Sequence, residues 1–570
     1  MSGLAGIARP WFYRLPPAAR DLIRFAAHPR RETRYLADWK EFRRDLRPII
    51  AAFARDVAAG SEVLIHSTHG FVPSLKEEAL FGAMLRASGL RPVFLTTRFG
   101  GLDRYIRIVP GARVVYREDF DGQPTAADAR IAAGIVGEAG DARGLIDAEW
   151  NGIAVGRHTL SAFMRKRYLG SVDLREHRDA LIATVACALA AARTSAAILE
   201  RERAPTILMN ERGYTPSGEF FDVALSLGRR VVQWQASHRD DGRIFKAYST
   251  STRTDHPSSI SADTWAQALD APFSDADGDR LLAYLENCYA RKTWFNFKRL
   301  QHLTEDLPPH RVIAEIGLDP RKPTAVLFAH ILWDATFFFG DGLYDDYREW
   351  LVETIRVANE STSVNWVVKL HPVNVWRLAA DGADGTTFAE LAALEHAGIR
   401  VAPHVKILMP DTPVSTWSLF RVADYCFTVR GTVGIEMAAL GKRVVTAGTG
   451  HYAAHGFTVD PRTRDDYEAI VRDPTRLQPM SESERHRALR FAHVLFERRP
   501  VCFDTYRLEH SDAADVFHPL NGRARMLSPT GAAFARSTIA ARWSAWLASS
   551  TTEDCLVDDD VPAAAPSVVP

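Results

Sequence analysis

Residues 324–448 alternate short apolar segments with amphipathic ones, and this alternation restricts the fold more than any other feature of the chain. Apolar runs separated by segments of helical periodicity are typical of strands joined by crossover helices. Such connections join parallel strands, so the pattern predicts a doubly wound parallel sheet with helices on its faces. The predicted strands are 324–331, 364–370, 399–402, 424–429 and 442–448, and the predicted helices are 344–360, 387–398, 415–423 and 432–441.

The first half of the chain shows the same alternation less regularly. Its predicted strands are 62–67, 91–97, 112–118, 205–211 and 229–235, and its predicted helices are 77–89, 174–203 and 217–228, with loops at 68–76 and 249–265. We therefore predict one α/β domain at 49–310 and a second at 311–500, which ends with a helix at 481–499. Residues 501–570 are predicted to form a C-terminal extension, partly disordered because its end is acidic and then rich in Pro and Ala.

Residues 1–48 form a basic segment, with eleven Arg and Lys against five Asp and Glu. Trp11, Phe12, Tyr13 and Trp39 lie among these charges. A basic segment with aromatic residues can rest on an anionic membrane, because cations attract the headgroups and aromatic rings enter the interface. The alternative is a surface helix that packs on its own domain.

Composition and local motifs exclude several classes of function. The 70 basic residues are balanced by 70 acidic ones, so no nucleic-acid partner is predicted. The five cysteines are widely spaced without a CxxC pair, which predicts reduced thiols, buried at Cys187 and Cys426. Walker A, HExxH and a GxGxxG after the first strand are absent from the sequence, so ATPase, zinc-protease and dehydrogenase chemistry is not expected. No metal and no bound cofactor are predicted.

The hydropathy of the chain predicts a cytoplasmic protein that is peripheral at the inner membrane if its basic segment binds there. The longest apolar stretch, residues 180–192, is Ala-rich. It falls short of the ~20 residues that a membrane span requires, so it is predicted to be a buried helix. The N-terminus lacks the uninterrupted apolar segment of a secretory signal.

Cations follow two of the predicted strands in the second domain. The residues concerned are Lys369, His371 and Pro372 at the end of 364–370, and Arg430, Gly431 and Thr432 after 424–429. Ligands bind beyond the carboxyl ends of strands in doubly wound sheets, and phosphate favours both arginine and helix N-termini. We expect the two strands to be neighbours and their cations to converge on one phosphate.

Glu436 lies one turn into the predicted helix 432–441, where its carboxylate can accept hydrogen bonds from ribose hydroxyls. Simpler structural explanations exist for these residues taken one at a time. Thr432 can be a plain helix cap, Glu436 a solvated carboxylate and His371 a structural histidine. Their grouping at strand ends is what favours a nucleotide site.

Two segments, "VVKLHP" at 367–372 and "ADYCFTVRGTVGIEMAALGKRVVTAGTGHYAAHGF" at 423–457, carry a resemblance. They resemble the C-terminal domain of bacterial capsule-polysaccharide biosynthesis glycosyltransferases, a family that includes Kdo transferases. The family is similar in pattern to HP-motif sialyltransferases and teichoic-acid polymerases. The resemblance spans 324–470, about a quarter of the chain.

This resemblance implies a GT-B fold, in which two Rossmann-like domains face each other across a cleft. The C-terminal domain would bind a nucleotide sugar and the N-terminal domain an acceptor. His371 would contact the donor phosphate, flanked by Gly431 and Thr432, while Glu436 would hold the ribose and Tyr452 would border the sugar.

Catalysis of sugar transfer requires stabilisation of the leaving phosphate and a base or nucleophile. Strand-end residues are the natural candidates. Glu211 follows strand 205–211 and is favoured as base or nucleophile, with His330 and Asp334 after strand 324–331 as further candidates.

Three functions remain open from the sequence. The first is a metal-independent glycosyltransferase that moves a sugar, CMP-Kdo-like by resemblance, to a surface polysaccharide or glycolipid. The second is a polyol-phosphate transferase of the teichoic-acid type. The third is a non-catalytic binding protein that keeps the same fold.

Overall fold

The structure is a computed structural model that describes residues 15–52, 60–120, 122–295, 304–374, 388–510 and 520–557. Its described residues form a seven-stranded sheet, a five-stranded sheet and a two-stranded hairpin. The two large sheets are the centres of two α/β domains.

The first sheet has the order β12-β6-β5-β4-β1-β2-β3. Its strands are β1 Glu62–Ser67, β2 Arg91–Thr96, β3 Arg113–Tyr116, β4 Thr206–Met209, β5 Arg230–Ala236, β6 Gly242–Tyr248 and β12 Val501–Cys502. The strands β1 to β5 pair in parallel, whereas β6 and β12 are antiparallel additions at one edge. The sequence analysis missed β6. Its charged residues Arg243 and Lys246 are buried, and each forms an ion pair with an acidic residue of a distant segment.

Helices cover both faces of this sheet. They are Pro17–Ala27, Pro29–Ala52, Val72–Ala87, Asp103–Ile106, Ala126–Ala139, Ala142–Ile146, Val155–Arg167, Arg178–Arg201 and Ser217–Ser226. The helix predicted at 77–89 begins at Val72, inside the predicted loop, because Pro73 fits the first turn of a helix.

The helix Arg178–Arg201 contains the longest apolar stretch of the chain. It is long and apolar enough to cross a membrane by length and composition, but 61% of its most apolar window is buried. It packs against the helices Ala126–Ala139, Val155–Arg167 and Ser217–Ser226, as the prediction of a buried helix requires. Cys187 faces outward from this helix, so its predicted burial is wrong, whereas Cys426 is buried as predicted.

The second sheet is wholly parallel, with the order β11-β10-β7-β8-β9. Its strands are β7 Thr324–Phe328, β8 Asn365–Lys369, β9 Val405–Leu408, β10 Tyr425–Thr428 and β11 Arg443–Thr446. Two expectations are corrected. The third strand of this sheet along the chain was predicted at 399–402. In the structure this strand is β9, which follows Pro403, because the segment that pairs with β8 is Val405–Leu408. The strands β8 and β10 are not neighbours, because β7 lies between them.

The helices of the second domain are Ala262–Asp270, Asp275–Ala290, Pro309–Ile316, Tyr347–Ala358, Ala389–His396, Thr416–Val422, Val433–Ala439, Arg464–Arg472 and Glu482–His493. The first two were predicted to belong to a domain at 49–310. Instead they pack against the helix Glu482–His493, and Leu281 and Leu285 enter the core of the second domain.

The C-terminal part of the chain returns to the first domain. There it forms β12, the hairpin β13 Tyr506–Glu509 and β14 Arg523–Met526, and the helices Gly531–Ala535 and Thr538–Ser549. Trp543 packs against Phe81 and Phe245 of the first domain. The described part of the predicted extension 501–570 is therefore a component of the first domain, and the tail at 558–570 lies outside the described residues.

The two domains face each other across a cleft that contains a cavity of about 720 Å³. Residues that follow strands of both sheets line it, among them Glu211 after β4, His330 after β7 and Arg430 after β10. Two Rossmann-like domains facing across a cleft are the GT-B-like arrangement that the sequence resemblance implied, and this expectation is confirmed.

Candidate functional site

His330 organises the loop after β10. Its Nε2 lies 3.2 Å from the backbone N–H groups of both Val429 and Arg430 and accepts from them. Burial lowers the pKa of His330 well below its usual range, and the charge of Arg430 adds to this effect. The neutral ring therefore carries its proton on Nδ1. Since Nε2 is already occupied, His330 is placed to donate from Nδ1 rather than to act as a base at Nε2.

Arg430 lines the cavity beside His330. Its guanidinium donates to the carbonyl of Phe339 and lies 5.5 Å from the centre of the Tyr347 ring. The side chain is buried, and its Nε has no hydrogen-bond partner in the described part of the chain. A desolvated guanidinium without a carboxylate partner is suited to bind an anionic ligand.

Gly431 and Thr432 continue this loop into the helix Val433–Ala439. A Cβ atom at Gly431 would lie 3.1 Å from Thr428 Oγ1 and 3.3 Å from Val433 Cγ2, so a larger residue would require these side chains to shift by a few tenths of an ångström. Thr432 has helical dihedral angles, and its side chain makes no capping hydrogen bond. The simple helix-cap explanation for Thr432 is therefore wrong, although the residue lines the cavity as the donor-site prediction required.

Lys369, His371 and Pro372 line the same cavity from the end of β8. The Lys369 amine donates to the carbonyl of Leu370 at 3.4 Å, and burial lowers its pKa to about 8. His371 Nδ1 accepts from the backbone N–H of Val373 at 3.1 Å, which places the proton of a neutral ring on Nε2. The predicted cations thus share one wall, with His330 of β7 between the two strand ends.

Glu436 is buried in this wall, so the alternative of a solvated carboxylate is wrong. Its Oε2 accepts a hydrogen bond from the Tyr289 hydroxyl, whereas its Oε1 has no partner within the described ranges. Burial raises the pKa of Glu436 to about 7. The ring of Tyr289 is stacked between Trp294 and Trp417, with centroids at 5.5 Å and 5.2 Å. An open carboxylate oxygen at the edge of the cavity suits a ligand hydroxyl.

This buried carboxyl gives a testable pH dependence. The folded pKa of about 7 lies above the unfolded value of 4.5, so the folded chain retains a proton that the unfolded chain releases between these values. Stability is therefore expected to fall by about 3 kcal/mol as pH rises through this window. The Glu436→Gln variant should gain thermal stability relative to the parent protein between pH 5 and pH 8, measured by the difference in Tm. The exposed Glu395→Gln is the control, and an equal difference at both pH values would contradict the burial of an ionisable Glu436.

Tyr452 does not contact the cavity, which corrects its predicted place beside the sugar. It is fully buried, and its hydroxyl donates to the carbonyl of Gly431 at 2.7 Å. A Cβ atom at Gly434 would overlap the Tyr452 hydroxyl, so the glycine allows the tyrosine to lie beneath the loop. Tyr452 therefore supports the loop that contains Gly431 from the side opposite the cavity.

The catalytic candidates Glu211 and Asp334 meet where the two domains approach. Arg165 forms an ion pair with Glu211 and lies 3.7 Å from Asp334. Tyr214 donates its hydroxyl to Asp334, accepts from the backbone N–H of Ala335 at 2.9 Å and lies under the Arg165 guanidinium. The sequence analysis missed Arg165 and Tyr214, because only the approach of the domains reveals their role.

A stacked pair of histidines also lines the cavity and was missed. The rings of His256 and His451 lie 4.5 Å apart at an angle of 22°. His451 adjoins Tyr452 in the quoted motif, where only the tyrosine was selected. The strand-end rule gave no reason to select His256, which lies in a segment predicted to be a surface loop.

The site contains no evident metal centre. No group of three or more His, Cys, Asp or Glu side chains that could hold a metal ion occurs among the residues that were placed. The second domain contributes both the cations Lys369 and Arg430 and the carboxyl groups Asp334 and Glu436 to the lining of the cavity.

No protein-family model matches the chain, and no curated protein matches it. Solved structures similar to it include two of KpsC from Thermosulfurimonas dismutans. The beta Kdo 2,4 transferase is 13% identical, with 53% of this chain and 82% of that chain covered and a TM-score of 0.30. The beta Kdo 2,7 transferase is 16% identical, with coverages of 60% and 88% and a TM-score of 0.33. The UDP-GlcNAc 2-epimerase of Methanocaldococcus jannaschii is 12% identical, with coverages of 76% and 99% and a TM-score of 0.27. These values do not establish a family.

Proposed function

We propose that this chain is a metal-independent glycosyltransferase, which moves a sugar from a nucleotide-activated donor to a surface-polysaccharide or glycolipid acceptor. One observation carries the proposal. A buried carboxylate with an unpartnered oxygen, Glu436, and the cations Lys369 and Arg430 line one cavity between the domains. A nucleotide requires both features, because its ribose donates hydrogen bonds and its phosphate is anionic.

The donor nucleotide lies along the second domain in this proposal. Glu436 Oε1 accepts from a ribose hydroxyl, with Tyr289 fixing the carboxylate from behind. The phosphate lies beside Arg430 and His371, with Gly431 and Thr432 at its side. Lys369 and the Nδ1–H of His330 supply further positive charge and a further donor. Removal of any of these groups would weaken nucleotide binding without exposing the hydrophobic core.

The leaving phosphate is stabilised by protein cations alone. Charge that develops on the leaving group is best stabilised by donors already fixed in a water-poor site. Arg430 is held by Phe339 and Tyr347, and His330 is held by two backbone N–H groups. This rigid arrangement can replace the metal ion that other nucleotide-sugar enzymes use, and no cofactor is part of the proposal.

Glu211 acts as the base or nucleophile. It is 46% exposed at the cavity, and Arg165 orients its carboxylate. Asp334 is more constrained, because it holds Tyr214 and Arg165 together across the domain boundary. An ionised carboxylate that faces the acceptor side can take a hydroxyl proton or attack the sugar.

The favoured donor is a CMP-activated acidic sugar of the Kdo type, on the strength of the sequence resemblance. The test is a donor screen by mass spectrometry with purified protein, with CMP-activated acids first, beside calorimetric titration with CMP, UDP and GDP. Sugar transfer from a CMP-activated acid supports the proposal. Transfer of polyol phosphate from a CDP-polyol would favour the teichoic-acid type instead, and nucleotide binding without turnover would favour a binding protein.

We further propose that the N-terminal helix docks on the cytoplasmic face of the inner membrane. In Pro17–Ala27, the apolar residues Leu22, Ile23 and Phe25 are exposed by 71%, 41% and 45%. Arg30 and Arg31 of the next helix are exposed close to them in the chain. Trp39 instead donates to the carbonyl of Arg104 and packs on its own domain. Trp11, Phe12 and Tyr13 lie outside the described residues.

Replacing Leu22, Ile23 and Phe25 together with glutamine should weaken binding to anionic vesicles about tenfold or more, because each side chain loses its burial in the interface. Vesicle co-sedimentation measures the effect. The matched control replaces Ile131, Leu227 and Leu527, which are exposed elsewhere by 39%, 46% and 41%. Deletion of residues 1–48 is less suitable, since Phe42 and Leu46 lie in the core. Equal sedimentation of both triple variants and the parent protein would reject the membrane contact.

A further inference from the structure

The stacked histidines and Arg430 form a contiguous polar corner of the cavity, which we call the histidine corner: His256, His451 and Arg430. All three residues line the cavity. The His256 ring contacts the Phe339 ring at 4.6 Å, and Phe339 also accepts the hydrogen bond from Arg430. A Cβ atom at Gly450, next to His451, would lie 3.2 Å from Arg430 Cβ. The three side chains are thus joined through shared neighbours from both domains.

Polar atoms in this corner are left without partners. His451 is 2% exposed, and neither of its ring nitrogens has a hydrogen-bond partner in the part of the chain that is described. The Nε of Arg430 is also unpartnered. A buried donor without a partner is destabilising, so several together at a cavity wall indicate a site for a ligand.

The charges around the corner favour a negative ligand. The charged or titratable groups that act on the pKa of His451 are Arg430, Arg499 and His455, and its ring stacks on His256. Burial lowers the pKa of His451 to about 3, and the charges of the two arginines add to this effect. Burial also lowers the pKa of His256 well below its usual range, and the charge of Arg212 adds to this effect. Arg499 is 3.3 Å from Asp554, whereas the Arg430 guanidinium donates to the carbonyl of Phe339 and has no ion pair with a carboxylate among the described residues. The histidines are therefore neutral N–H donors beside an uncompensated guanidinium.

The orientation of His256 completes the donor set. Its Nδ1 accepts from the backbone N–H of Ser258 at 3.0 Å, so the proton of the neutral ring is on Nε2. The corner can then offer N–H groups from His256, His451 and Arg430 to one ligand. Two or more N–H donors in fixed positions match the two oxygens of a carboxylate or phosphate.

We propose that the histidine corner binds an oxyanion of the donor, and that this oxyanion is the carboxylate carried by the transferred sugar. This inference rests on the proposed function. The other source of the same chemistry is the phosphate that links the sugar to the nucleoside. Each source predicts a different pattern of binding.

The test compares CMP with CMP-Kdo by calorimetry, on the parent protein and on the His451→Gln and His256→Gln variants. His256 is only partly buried, so its variant remains informative if His451→Gln does not fold. The exposed His396→Gln is the matched control, and Tm reports folding. Loss of a hydrogen bond to a charged ligand is expected to weaken CMP-Kdo binding about 10- to 100-fold.

The outcomes separate the sources. If the variants bind CMP-Kdo more weakly but bind CMP as the parent protein does, the corner binds the carboxylate of the sugar. If their affinity for both ligands falls equally, the corner binds the phosphate instead. Unchanged affinity for both ligands in both variants overturns the corner as a binding site while the proposed function stands.

If neither CMP nor CMP-Kdo binds the parent protein, the proposed CMP-activated donor is rejected and inorganic phosphate becomes the probe. Phosphate should then raise the Tm of the parent protein more than that of the His451→Gln variant, because a ligand stabilises the state that binds it. Equal shifts, or no shift in either protein, overturn the corner.

Discussion

Replacing Glu211 with glutamine is expected to lower the rate of sugar transfer about a thousandfold, while the affinity for CMP changes less than about twofold. Glutamine has nearly the same shape but can neither take a proton nor attack the sugar. Glu211 lies on the first-domain side of the cavity, apart from the cations that are proposed to hold the nucleotide. Loss of rate without loss of nucleotide affinity is therefore the signature of its proposed role. Initial rates and calorimetric titration with CMP measure the two quantities.

The Asp334→Asn variant is the matched comparison. Asp334 contacts both Tyr214 and Arg165. The asparagine side chain of the variant is therefore expected to disturb the contact between the domains and to lower the rate of transfer less than Glu211→Gln does. If Asp334→Asn proves the more damaging, the base or nucleophile is Asp334. If Glu211→Gln keeps more than about a tenth of the parent rate, Glu211 has no chemical role.

The second large effect is expected at His371. In the proposed function His371 donates its Nε2–H to the leaving phosphate, and removal of one such donor costs about 100-fold in rate. His371→Ala should therefore lower transfer by about this factor. It should also weaken binding of CMP, since the phosphate is present in both states. Transfer assays and titration with CMP and with cytidine, which lacks the phosphate, measure the effect.

His371→Asn separates the ligand contact from a structural role. An asparagine oxygen can still accept from the backbone N–H of Val373, as His371 Nδ1 does at 3.1 Å, and so can preserve the turn. The exposed His396→Ala is the control for loss of an imidazole. Transfer by His371→Ala within about threefold of the parent rate would refute the phosphate contact.

Local sequence patterns predicted most of the second domain, because each element there is specified by its own apolar periodicity. The strands β7, β8, β10 and β11 lie within their predicted ranges. The strand predicted at 399–402 forms instead at Val405–Leu408, because strand formation depends on pairing with a neighbouring strand, here β8, rather than on local hydrophobicity. The strand β6, which lies between β12 and β5, was missed for the same reason, as the distant residues Glu553 and Asp554 neutralise Lys246.

Of the candidate site, only the residues that directly follow a predicted strand could be identified from the sequence. The strand-end rule identified Lys369, His371 and Arg430, which the structure places on one cavity wall. It could not identify Tyr289, which lies 147 residues before Glu436 and explains its buried carboxylate. Nor could it show that Tyr452 faces away from the cavity, because the hydrogen bond that holds its hydroxyl on the carbonyl of Gly431 joins residues that lie 21 apart in the chain.

Determination of an experimental structure with CMP bound is the most direct test of the central claim that the second domain binds the donor nucleotide. The account predicts the ribose within hydrogen-bonding distance of Glu436 Oε1 and the phosphate between the side chains of His371 and Arg430. A nucleotide bound outside the cavity, or with its ribose and phosphate away from these three residues, would contradict it.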